Sequence, residues 1–206
     1  MSFTLAKCML THPEGFLEAR ECHYQRFFGP LTRPIMHSTD VKAVHIDIYQ
    51  FEPNQDRPYW TLVTSGMSNE RQLDQDNCAE GVSPRAEILM YVSEPQGWMF
   101  SVLKGLAEMP FEDSTFLHWR HTVPNGMSMT AKPSLLTSYF FLPPSFESEG
   151  FTDLELDGDK VDFLWMVPIT EAEREFAVKH GSAALEKKFA EVNLPPVVDE
   201  SRKSVV

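Results

Sequence analysis

FTDLELDGDKVDFLWMVPI, Phe151 to Ile169, is the stretch that decides the fold. Two alternating runs flank Asp157-Gly158-Asp159, and strict alternation places successive side chains on opposite faces of a strand. Asp-Gly accepts the positive φ that a tight reversal demands, so the stretch reads as a β-hairpin. On its C-terminal side, TEAEREF opens a helix with Thr170 as N-cap and Glu173 three residues on, the spacing of a capping box. Gly181 ends that helix, and Ser182 is placed to cap a second, SAALEKKFAEV. The residues beyond Pro195-Pro196 are polar and are expected to fray. This divides the chain into a domain over 1–194 and a tail over 195–206.

On the N-terminal side of the hairpin, SLLTSYFFLPP reads as a strand, and HTVPNGM as a turn with Pro124 at its first corner. WMFSVLKGLAEMP repeats Trp98, Val102, Leu106 and Met109 at helical spacing, with Pro110 as its stop. RAEILMYV places Ile88, Met90 and Val92 on one face and Glu87, Leu89 and Tyr91 on the other. Apolar residues on both faces predict a central strand with one face under a helix. YWTLVTS and AVHIDIYQF are two more strands, joined by the turn-rich EPNQDRP as a hairpin. The second of these is expected to be half-buried, with Val44, Ile46 and Ile48 inward and His45, Asp47 and Tyr49 outward. THPEGFLEARECHYQRFFGP reads as a helix with Phe16, Ala19, His23 and Phe27 on its apolar stripe, ended by Gly29-Pro30. Strands and helices alternate, yet hairpins outnumber βαβ units. The expected fold class is α+β: a mixed, largely antiparallel sheet packed by helices in a single domain.

Of the 206 residues, 42% are hydrophobic and 12% aromatic, enough to bury a substantial core without disulfide staples. The formal net charge of −12 opposes nucleic acid, which binds through cationic side chains that neutralise phosphates. It opposes an anionic membrane surface equally, and it leaves a basic protein partner open. The N-terminal residues lack a signal-peptide pattern, and no run approaches the ~20 apolar residues of a membrane span. Cys8, Cys22 and Cys78 form no CxxC pair and read as reduced thiols. A cytoplasmic location is therefore expected.

Candidate chemistry is sparse. Gly66-Met67-Ser68 matches half of a hydrolase nucleophile elbow, but Glu70 stands where the second glycine belongs and a polar loop follows. His118 and His121 lie in an apolar segment expected to be extended, where an i, i+3 pair points to opposite faces, so neither metal nor cofactor is expected. His45 and Asp47 share a strand face and make the most enzyme-like pair. With Glu87 and His118 they define the alternative reading, a small hydrolase or metal-dependent enzyme. Glu87 interrupts an apolar strand, and a desolvated carboxylate needs a partner. That partner is either a base of this chain, such as Arg85, or part of a bound protein. In the second case Glu87→Gln would spare folding and weaken binding. Acidic residues cluster in two places: Glu147 to Asp162, and the loop carrying Glu70, Asp74, Asp76 and Glu80. Asp157-Gly158-Asp159 lacks the ligand spacing of a calcium loop.

Five blocks in order, YWTLVTSGMS, RAEILMYV, a Trp opening the next helix, HTVPNG and FLWMVPITEAEREFAVKHG, resemble the suppressor of fused domain as found in bacteria. The chain departs from that pattern in its long acidic loop after Ser68. The resemblance implies a non-catalytic, protein-binding α+β domain. Eukaryotic members restrain Gli-type transcription factors by gripping a peptide as an added strand, and bacterial members are thought to be immunity proteins of polymorphic toxin systems. Carried over by motif, the peptide-facing positions fall at Leu62, Thr64 and Glu87. An aromatic expected to touch the peptide is replaced by Leu62, which disfavours the eukaryotic ligand. An immunity-type inhibitor of a basic toxin domain is the resulting expectation, with Asp74, Asp76 and Glu80 steering the partner.

Overall fold

Strand-forming runs rich in Val, Ile, Phe and Tyr assemble into one seven-stranded sheet, with helices laid on both of its faces. The computed structural model describes residues 13–37, 42–73, 78, 80–130 and 134–206. Along the chain come α1 (Pro13–Phe28), β1 (Asp47–Phe51), β2 (Trp60–Ser65), β3 (Arg85–Val92), α2 (Gly97–Glu112) and β4 (Thr122–Pro124). Then follow β5 (Leu136–Leu142), β6 (Glu155–Leu156), β7 (Asp159–Thr170), α3 (Glu171–His180) and α4 (Ser182–Glu191). The strand order is β1-β2-β3-β7-β5-β4, with β6 paired to β7. Every neighbouring pair is antiparallel except β3 with β7, which is parallel. The fold is α+β, a mixed and mostly antiparallel sheet in a single domain.

The hairpin forms where Asp157 and Gly158 stand, with φ of 52° and 81° and Leu156 opposite Asp159. Its arms are unequal, because β6 holds two residues and β7 twelve. One face of the sheet packs Ile46, Ile48, Leu62, Ile88 and Met90 against Met99, Leu103 and Ala107 of α2. The opposite face packs Tyr49, Phe51, Val63, Leu89, Phe163 and Trp165 beneath α1, α3 and α4. Two expectations change accordingly. β1 is buried on both faces, and β3 lies under helices on both sides rather than one, which is why all eight of its residues are buried.

The helices carry further corrections. The inward row of α1 is Phe16, Arg20, Tyr24 and Phe28, all at most 5% exposed, one position round from the expected stripe. Ala19 and Phe27 only flank it. Pro110 does not stop α2; it sits in the last turn and the helix runs on to Glu112, where Asp113 caps it by donating its N–H to the Met109 carbonyl. A proline this near the C-terminus forfeits one hydrogen bond and leaves the remaining turn intact. Pro124 closes β4, so the reversal begins at Asn125-Gly126. Gly181, not Ser182, is the N-cap of α4.

Nor is the tail frayed. β3 and β7 pair as far as Leu89 and Trp165. Val197 bridges to Tyr91 in parallel beyond that point, and the Val198 N–H donates to the Tyr91 carbonyl at 2.9 Å. The Arg202 guanidinium forks onto Glu173, with Nη2 to Oε2 at 2.6 Å, and the Val205 N–H adds a bond to the same carboxylate at 3.0 Å. Among the described residues, no helix is long and apolar enough to cross a membrane.

Candidate functional site

β2 ends at Ser65, and the chain turns through Gly66 into a 3-10 turn over Met67–Asn69. Gly66 has φ of 126°, and a Cβ there would lie 2.0 Å from the His45 carbonyl oxygen, so only glycine lets the two backbones approach this closely. Glu87, fully buried in β3, holds the turn from its amide side. Its Oε1 accepts from the Gly66 and Ser68 N–H groups, each at 3.0 Å, and from the Ser68 hydroxyl at 2.6 Å. Its Oε2 accepts from the Thr64 hydroxyl at 2.6 Å. Arg85 holds the carbonyl side, donating to Ser68 O at 2.8 Å and Asn69 O at 2.7 Å.

Arg20 supplies the balancing cation. Its Nε lies 2.9 Å from Ser65 Oγ and 3.7 Å from Glu87, and its Nη1 reaches Asn69 Oδ1 at 2.7 Å. Tyr24 lies in the same helix row and donates to the Thr64 carbonyl at 2.8 Å. Its phenol is pushed well above the usual range, first by burial and then by the Glu87 charge. Glu87 thus has an internal cation, and it is Arg20 rather than Arg85. The carboxylate accepts four hydrogen bonds and has no exposed surface. Leu62 and Thr64 are equally enclosed. Nothing in strand periodicity pointed to Arg20, whose guanidinium arrives from a helix far away in sequence.

The acidic cluster divides in two. Glu147 is buried against Arg57, and Asp159 accepts from Arg71 at 2.6 Å and Arg85 at 2.8 Å. Burial alone would raise the Asp159 pKa, but the two guanidinium hydrogen bonds outweigh it and hold the carboxyl below its ordinary value. Glu149, Asp153, Glu155 and Asp157 remain exposed, as does Glu80. Arg71 ties the start of the acidic loop to the hairpin, and the Ser83 N–H ties its end to Asp162 at 3.0 Å. The described ends of the acidic loop are thereby tied to the hairpin. Asp74 and Asp76 lie outside the described residues.

The residues of the enzyme alternative fall into separate contacts. His45 Nε2 lies 3.0 Å from Asp47 Oδ1, His118 Nε2 lies 3.3 Å from Asp162 Oδ2, and Glu87 is committed to the turn. His118 and His121 stand on a turn, not an extended segment, because the His121 N–H donates to the His118 carbonyl and Arg120 takes φ of 68°. Their ring centroids are 6.4 Å apart. Burial, and then the neighbouring His118, lower the His121 pKa. A residue not singled out in the sequence, His37, places Nδ1 3.1 Å from Asp47 Oδ2. Cys22 is a free thiol, and Cys8 lies outside the described residues.

Sheet order and helix placement define an α+β fold already seen in solved structures. A putative suppressor of fused homologue from Neisseria gonorrhoeae superposes with a TM-score of 0.73 at 21% identity, over 94% of this chain and 98% of that one. The Sufu–Fu complex gives 0.63 at 17% identity, over 92% of both chains. Drosophila Suppressor of Fused gives 0.62 at 16% identity; 95% of this chain is covered, but only 54% of the Drosophila chain. The chain belongs to the suppressor of fused protein (SUFU) family, whose model matches residues 42–203. A search of the curated proteins finds no match.

Proposed function

We propose that this chain is a non-catalytic protein-binding domain that neutralises a basic toxin domain by occlusion. The observation that carries the reading is family membership over residues 42–203, in a family with a relative crystallised as a Sufu–Fu complex. The basic character of the partner rests on charge. The net charge is −12, and exposed Glu80, Glu155 and Asp157 stand on the acidic loop and the hairpin to which Arg71 and Ser83 tie its described ends. Carboxylates fixed in place steer an oppositely charged partner and set its association rate. In this reading Leu62, Thr64 and Glu87 serve binding indirectly, by holding the Gly66 turn and its strand in shape. Asp74 and Asp76 add to the steering field.

The test uses the product of the neighbouring reading frame, co-expressed and purified with this chain. Growth rescue, a stoichiometric complex and a partner of unchanged intact mass are the expected results. Replacing Glu80, Glu155 and Asp157 together by Lys should slow association at least about tenfold at low salt, and the difference should shrink near about 0.5 M salt. Dissociation should be unaffected. Unchanged association at low salt would remove the acidic segments from the interface, and a covalently altered partner would overturn the non-catalytic reading.

A further inference from the structure

We propose that His37, His45 and Asp47 form a mononuclear binding site for a divalent transition metal, zinc above all. The placement comes from the backbone. Met36 and Ile48 exchange two hydrogen bonds of 3.1 Å as an antiparallel bridge, which sets His37 directly across from Asp47. His45 precedes Asp47 by two residues on an extended chain and so shares its face. Pairing of Asp47 with Ser65 fixes the Asp47 backbone, and the close approach of Gly66 to the His45 carbonyl fixes the histidine backbone. Three side chains from two segments are therefore aimed together by main-chain contacts that need no ion.

The distances suit a metal. His37 Nδ1 lies 3.1 Å from Oδ2 and His45 Nε2 3.0 Å from Oδ1, and the three ligand atoms all fall within 4.8 Å of one another. A tetrahedral zinc with bonds of about 2.0–2.1 Å separates its ligand atoms by roughly 3.3–3.4 Å, so side-chain rotation alone closes the set. Two imidazoles, one carboxylate and no thiolate suit zinc, with nickel or cobalt as surrogates, better than calcium or magnesium. The imidazoles are 64% and 58% exposed, whereas Asp47 is 12% exposed. A buried carboxylate anchors the ion and an open fourth position is left to water, the pattern of three-ligand zinc sites. His118 and His121 take no part in this set, and His37 joins it through the Met36–Ile48 bridge. The proposal is independent of the protein-binding reading.

The experiment is a titration of the tag-free full chain, stripped with EDTA and dialysed, with Co2+ read by visible absorption and Zn2+ by calorimetry. One ion per chain should bind, with the intense d–d bands of a four-coordinate site. His37→Ala/His45→Ala should bind at least about 100-fold more weakly, and Asp47→Asn at least about tenfold more weakly, while His118→Ala should bind like the parent. In EDTA the double variant should match the parent in urea midpoint, since both histidines are largely exposed. Zinc should then raise the melting temperature of the parent alone. Absence of saturable one-to-one binding by the parent would overturn the site, as would parent-like affinity in the double variant.

Discussion

Glu87 illustrates how far a single carboxylate organises its surroundings. Its carboxylate accepts four hydrogen bonds, from two backbone amides and two hydroxyls. Glutamine would offer one acceptor oxygen and turn an NH2 group towards donors, leaving Arg20 buried without its counter-charge. Glu87→Gln should therefore lower stability by roughly 3–5 kcal/mol in urea unfolding, as expected when one member of a buried pair is lost. Parent-like stability would show that the turn does not depend on the charge. Asp159 sets a pH signature. Its folded pKa lies below the unfolded value of about 3.9, so its contribution is complete above that pH and is lost as pH falls through the lower folded value. Asp159→Asn should lose that contribution at neutral pH, and the stability gap between parent and variant should narrow below about pH 4.

Local signals in the sequence translated directly into elements. The capping box forms, with the Glu173 N–H donating to Thr170 Oγ1 at 3.2 Å and the Thr170 N–H to Glu173 Oε2 at 2.8 Å. Thr170→Ala should cost about 0.5–2 kcal/mol, measured as a shift in urea midpoint at constant slope. The Asp-Gly hairpin, both edges of β3 and the Gly29 stop were equally legible, because each depends on residues only a few positions apart. The row that α1 buries was not, since Arg20 reads as polar until Glu87, Ser65 and Asn69 are seen around it. The tail misled for the same reason: Arg202 looks like a solvated charge, yet Glu173 takes both ends of its guanidinium. Removing residues 195–206 should thus cost about 3–5 kcal/mol by stranding a buried carboxylate. Arg202→Ala in the full-length chain should reproduce much of that loss in the same urea measurement.

Across the whole molecule, fold class was readable and the contacts between side chains of distant elements were not. Alternation, turns and caps sufficed to specify an α+β sheet. Glu87 was noticed because an acid inside an apolar strand stands out, but its partner arrives from another element and its enclosure could not be read from β3 alone. His37 carries no local mark, since its meeting with Asp47 depends on strand pairing across a loop. The parallel contact between β3 and β7 has a further consequence, for the rate at which the protein reaches this structure. The β1–β2 and β6–β7 hairpins close short loops, whereas joining Ile88 to Leu164 closes a long one that contains α2, β4 and β5. Loop-closure entropy is spent before that contact returns any stabilisation. Refolding, followed by stopped-flow fluorescence, should therefore be limited by formation of the β3–β7 contact rather than by closure of either hairpin.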